Sequence, residues 1–259
     1  MAARWRGNEI SATLGVPSTS NAEFFPRSPL RMTRDCEPRT CLRAAFGFMV
    51  KSMYRILFAI LLLTSLCVAQ KLEPTGKPDV PDAIKAALQD KGQRILDKDG
   101  TPLVSLWLAK SVKTTKKEVE GANYPSLDSS SFIGAITFEQ DGKDFRGQTI
   151  PKGTYTLRYG LLPNDGNHMG VAPNRDFLLL LSLITDSDPS ATFTDKQLMR
   201  ASAKVAGGAH PTVLSLVADE GKPGTVTVND QGFVVFHAAL TTTDGELPLA
   251  LIVKGVAQQ

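Results

Sequence analysis

Thr154-Tyr155-Thr156-Leu157-Arg158-Tyr159 alternates without a break, and Phe177-Leu178-Leu179-Leu180-Leu181-Ser182-Leu183-Ile184 follows as a nearly continuous apolar run. A strand sends successive side chains to opposite faces, so strict alternation places Tyr155, Leu157 and Tyr159 against a core. A run with no polar alternation has no wet face, which predicts a strand covered on both sides. Outward from this pair the same signal recurs. Leu103–Ala109 carries Val104, Leu106 and Leu108 on one face. Phe132–Phe138, Thr212–Val217, Thr225–Val228, Phe233–Leu240 and Leu247–Val253 bring the strands to eight.

Turn chemistry separates them. Asp99-Gly100, Asp141-Gly142, Asp165-Gly166 and Asp244-Gly245 are Asp-Gly pairs, favoured where both central residues of a tight hairpin need positive φ. Asn229-Asp230-Gln231-Gly232 lies between two alternating runs and reads as a hairpin. Two helices interrupt the β pattern. Pro81-Asp82 opens a short one in which Ile84, Ala87 and Leu88 share a face and Gly92 is a stop. Thr194-Asp195-Lys196-Gln197 is a capping box, and Leu198, Ala201 and Val205 line one side of a helix over 194–206. Many short strands with Gly and Asp turns, and no βαβ alternation, predict a mostly β chain. The expected architecture is an antiparallel β-sandwich, jelly-roll-like, with a short N-terminal helix and one inserted helix.

The segment before this domain is of a different kind. Residues 1–69 hold 9 Lys+Arg against 4 Asp+Glu, whereas residues 70–259 hold 20 against 22. The basic excess belongs to the N-terminal part, and the remainder offers no broad basic face for nucleic acid. From Met53 the order is a short basic region, the apolar run Ile56–Val68, and small residues before Gln70. That order is the pattern of a secretory signal peptide, 53–69, cut before Gln70. The run is shorter than the roughly 20 residues a membrane span needs. An uncleaved N-terminal anchor and a lipoprotein built on Cys67 are the weaker readings, so the membrane enters only through this segment. Residues 1–52 read as an extension outside the native or folded protein, with Met49 or Met53 as the true start. Residues 70–81 read as a linker, and 82–259 as one β-sandwich domain. The expected destination is the periplasm or the exterior. Cys36, Cys41 and Cys67 all precede residue 70, so the remainder has no disulfide, thiolate nucleophile or Cys-ligated zinc.

The densest polar cluster is Asn164-Asp-Gly-Asn-His-Met-Gly-Val-Ala-Pro-Asn-Arg-Asp176, a long loop between two strands. Asp165, Asn167, His168, Arg175 and Asp176 supply an imidazole, carboxylates, an amide and a guanidinium, the groups a ligand site needs. The structural reading is an elaborate turn whose Asx side chains bond local backbone. The histidines, His168, His210 and His237, show no metal-ligand spacing, and His237 reads as a half-buried strand residue. Asp97/Asp99 and Asp186/Asp188 are spaced like the start of a calcium loop but lack its later glutamate. No Gly-x-Ser-x-Gly, His-Glu-x-x-His or Walker loop is present. Trp107, Tyr124, Tyr155 and Tyr159 form a sugar-stacking platform if exposed and core if not.

Gly147-Gln-Thr-Ile-Pro-Lys-Gly-Thr-Tyr-Thr-Leu-Arg-Tyr159 resembles a turn-and-strand unit of exported bacterial β-sandwich proteins of unassigned activity. Ile150, Pro151, Gly153, Tyr155 and Leu157 carry the match. The resemblance implies an envelope β-sandwich and transfers no catalytic residue. The leading functional expectation is a non-catalytic exported module, without cofactor or metal, that binds a small molecule, a glycan or an envelope protein. The alternative is a hydrolase or metal-dependent enzyme in which His168 is base or ligand and Asp165 or Asp176 orients it.

Overall fold

The computed structural model describes residues 71–162 and 174–256. The signal segment 53–69 and the extension 1–52 lie outside them. The chain runs β1 (Lys71–Thr75), α1 (Asp82–Ala87), β2 (Gly92–Leu96), β3 (Pro102–Leu108), β4 (Phe132–Phe138), β5 (Gly142–Lys143), β6 (Thr149–Ile150) and β7 (Gly153–Leu161). It continues with β8 (Asp176–Ser182), α2 (Asp195–Ala203), β9 (Val213–Val217), β10 (Thr225–Val228), β11 (Val234–Thr242) and β12 (Gly245–Lys254).

Ten strands form one sheet in the order β1-β2-β3-β4-β7-β8-β9-β12-β11-β10, and β5-β6 make a separate ribbon. Every strand pairing is antiparallel. The two terminal strands, β1 and β10, touch, so the sheet is nearly closed into a barrel-like shape. The mostly β, antiparallel expectation with two helices holds. The jelly-roll sandwich is not confirmed, because the strands join edge to edge as one curling sheet. Large twisted sheets curl in this way, and near-closure leaves little edge exposed.

The connectivity has one jump. After β9 the chain crosses to the far edge, lays down β10, and returns through two hairpins so that β12 pairs with β9. The β9–β10 connection therefore passes over strands still to come. The hairpin at Asn229–Gly232 forms as expected, with Gly232 at φ 79° and the Asn229 side chain accepting from the Gln231 and Phe233 amides.

Inside the curl, Tyr155, Leu157, Tyr159, Leu178 and Leu180 meet Val234, Phe236, Leu249 and Leu251. The opposite face of β8 carries Phe177, Leu179 and Leu181 against Leu198 and Ala201 of α2. Over Phe177–Leu181 the run is thus covered on both sides, as its lack of alternation required; its last part is not a covered strand, since β8 ends at Ser182 and Ile184 is exposed in the turn that follows. Burying Leu198 there contributes about 1.5–3 kcal/mol. Thr194 and Gln197 close the capping box that starts α2.

Three local expectations are corrected. Lys71–Thr75, read as linker, is strand β1; it is terminal in the sheet, where Pro74 is tolerated because a missing N–H need not face a partner. Helix α1 ends at Ala87, because Leu88 turns extended and bridges Ala109. Gly92 has another role: a Cβ there would lie 2.4 Å from the Trp107 indole nitrogen, so only glycine lets the ring lie flat on β2.

Candidate functional site

Of the five residues expected to form a site, Asp165, Asn167 and His168 lie outside the described residues. Arg175 and Asp176 are described, and they do not pair with each other. Arg175 donates to the Leu162 carbonyl through Nε at 2.9 Å and through a terminal nitrogen at 2.8 Å, and to the Glu120 carbonyl. Asp176 is fully buried at the start of β8. It accepts from the Tyr159 hydroxyl at 2.7 Å and from the Asn123 and Tyr124 amides at 2.8 and 3.0 Å. Burial and the Asp176 carboxylate push the Tyr159 hydroxyl well above its ordinary pKa. Burial pushes Tyr124 up to about 12. Both described members of the loop hold backbone in place.

The aromatic platform is core. Trp107, Tyr124, Tyr155 and Tyr159 are all buried, and Trp107 donates to the Gly76 carbonyl at 2.6 Å. The calcium-like pairs are occupied otherwise. Asp186 takes Arg158 in a two-point pair at 2.7 and 2.8 Å and the Thr156 hydroxyl at 2.6 Å. Asp97 and Asp99 accept backbone amides of their own turn. Among the described residues no group of three or more His, Cys, Asp or Glu side chains converges on a metal position.

Two places remain where the fold presents chemistry. The first is a cleft of about 460 Å³ at one end of the curled sheet. The β2–β3 turn, the end of β4, the β10–β11 turn and the end of β12 meet there. Leu103, Phe138 and Val253 give it an apolar floor, and Asp97, Asp141, Lys143 and Lys254 a charged rim. Lys254 is bonded to Asp97, and that bond holds the Asp97 carboxyl below its ordinary pKa. Lys143 has no ion pair among the described residues.

The second lies on the outer face of the β10–β11 hairpin. His237, on β11, is 6% exposed. Its Nδ1 is 2.6 Å from an Asp219 carboxylate oxygen, and its Nε2 is 2.8 Å from the Thr227 hydroxyl. Asp219 sits on the β9–β10 connection, carried over β11 by the jump in topology. Gly221 lies directly on the imidazole, where a Cβ would be 2.2 Å from Nδ1. A carboxylate facing Nδ1 draws the ring proton to that nitrogen and leaves Nε2 as acceptor for the hydroxyl. The Asp219 side chain is 4% exposed, and its second oxygen, Oδ2, is buried without a hydrogen-bond partner among the described residues. Thr227 is exposed. The sequence pattern places His237 in a half-buried strand and marks no partner beside it. The hairpin signal at Asn229–Gly232 was the available clue: counting back from it sets Thr225 opposite His237, with Thr227 on the same face. Nothing local marks Asp219.

Compared with known protein families, characterised proteins and solved structures, the chain matches none.

Proposed function

We propose that the chain is an exported binding module of the cell envelope that holds a small amphipathic anion in the mouth of its curled sheet. The observation that carries this reading is the cleft, with an apolar floor and at its rim a lysine, Lys143, that has no ion pair among the described residues. Its volume falls within the few hundred Å³ typical of small-molecule sites, which favour the mouths of barrels. The apolar floor suits a hydrocarbon body. Lys254 is already neutralised by Asp97, so the headgroup belongs to Lys143. The basic–apolar–small order of residues 53–69 and the local resemblance at Ile150–Tyr159 support export.

Titration calorimetry with sodium dodecanoate tests the reading. Wild type is expected to bind, and Lys143→Glu to bind at least about tenfold more weakly, as a like-charge contact at the headgroup requires. Absence of binding to wild type, or equal affinity in the two proteins, overturns the placement.

A further inference from the structure

We propose that Thr227, His237 and Asp219 form an acyl-transfer site on the outer face of the β10–β11 hairpin, acting on small activated esters. This goes beyond ligand binding at the mouth and rests on other residues. The arrangement has the three parts nucleophilic catalysis uses: a hydroxyl, a base within hydrogen-bond reach, and a third group that orients the base. The distances are 2.8 Å from hydroxyl to Nε2 and 2.6 Å from Nδ1 to the carboxylate.

Two further features separate this chain of bonds from a structural clasp. A clasp joining the β9–β10 connection to β11 is complete with Asp219 and His237 alone. Here the chain continues to a hydroxyl on the exposed strand β10, where a substrate has access. The carboxylate that orients the ring is itself buried, with Oδ2 lacking a hydrogen-bond partner among the described residues, a state that costs stability and that a clasp does not need.

The step balances with water as the only co-reactant. Thr227 Oγ1 attacks the ester carbonyl carbon while its proton passes to His237 Nε2. The bond from carbonyl carbon to leaving oxygen breaks, and the leaving alkoxide takes that proton and departs as the alcohol. Water then attacks the acyl-threonine, again giving its proton to Nε2. The carboxylic acid leaves and the hydroxyl is restored. Asp219 is a positioning residue throughout.

The test is hydrolysis of p-nitrophenyl acetate by the full chain, with peptide mass spectrometry to locate the acetyl group. Wild type is expected to release nitrophenolate above the buffer rate and to carry acetyl on Thr227. Thr227→Ser is expected to keep both, and Thr227→Ala to lose the label and at least about 100-fold of the rate, the usual contribution of a positioned proton acceptor and its nucleophile. His237→Gln is expected to fall as far, with circular dichroism confirming that both variants are folded. Hydrolysis by Thr227→Ala at the wild-type rate, acetyl found only on lysines, or a wild type no faster than buffer each overturns the proposal.

Discussion

Arg158, on β7, and His237, on β11, are both buried polar side chains, yet their hydrogen bonds end differently. Every N–H of the Arg158 guanidinium is used. Two go to Asp186, two to the carbonyls of Ser130 and Ala191, and one to the carbonyl of Asp188. Phe132 and Phe193 stack on the cation at 5.4 and 5.2 Å from their ring centres. The network closes on itself, and its product is geometry: it ties the 186–191 segment to β7. The His237 chain does not close. One end is a buried carboxylate with an unpartnered oxygen, and the other is a hydroxyl in solvent. A closed network in low dielectric holds a shape, whereas an open one leaves a polarised group for something outside to use. The two can be told apart by what their removal changes.

Breaking the closed network has the largest expected effect on stability. Asp186→Ala leaves the Arg158 cation buried with two donors unmatched, and removal of one partner from a buried pair costs about 3–5 kcal/mol. Urea unfolding is expected to show that loss, with no change in the rate of p-nitrophenyl acetate hydrolysis. A loss under 1 kcal/mol would mean that water or rearranged carbonyls satisfy Arg158, and the contrast with His237 would weaken.

These two networks also mark what the sequence makes legible. The alternation Thr154–Tyr159 identifies β7 and its core face because a period of two needs no tertiary knowledge. The same alternation puts Thr156 and Arg158 on the supposedly wet face, and both are buried. That face is covered by Phe132, Phe193 and the 186–191 segment, none of which is near in sequence, so local pattern has no access to it. The long apolar run of β8 was readable for the opposite reason, since continuous apolarity itself reports a second cover. The relay is hidden in the same way as Arg158: ten and eighteen residues separate His237 from its partners. Thr227 follows from the hairpin register, but Asp219 depends on the crossover after β9. The short terminal strand β1, interrupted by Pro74, has too little pattern to be distinguished from a connector.

Asp144 sharpens the comparison from a third side, since it too is a buried carboxylate with one oxygen lacking a hydrogen bond among the described residues, though that oxygen lies 3.8 Å from the Arg146 guanidinium, and it has no open end. Its Oδ1 accepts the Arg146 and Gln148 amides at 3.0 and 2.8 Å in the turn between β5 and β6. Burial raises its pKa above the usual 3.8, against the pull of those bonds and of Arg146. A carboxyl whose folded pKa is raised is penalised when ionised. The penalty is full above the folded pKa, is relieved as pH falls through it, and vanishes below the unfolded value. Asp144→Asn keeps the Oδ1 acceptor and removes the charge. It is expected to be more stable than wild type at neutral pH, with the advantage shrinking in acid and gone below 3.8. Urea midpoints of the two proteins across that range check it. An advantage independent of pH would show that shape, not charge, sets the difference.

The smallest expected effect on stability falls at Thr227, and its smallness carries the argument. The side chain is exposed on the terminal strand β10 and, among the described residues, makes one side-chain bond, to His237 Nε2. With the exposed strand letting water take the hydroxyl's place at Nε2, a substitution of this kind changes stability by about 0.5 kcal/mol or less. His237 remains held by Asp219 and covered by Gly221, so the hairpin and the β9–β10 connection keep their places. A structural role for Thr227 predicts that whatever Thr227→Ala does to function scales with what it does to folding. An open chain of bonds predicts the reverse: an unfolding midpoint within 0.5 kcal/mol of wild type together with loss of acyl transfer. Parallel urea unfolding and ester hydrolysis on the one variant separate the two. A destabilisation of more than about 1 kcal/mol would place Thr227 with Arg158, as part of what holds the fold, and would close the chain that otherwise ends in solvent.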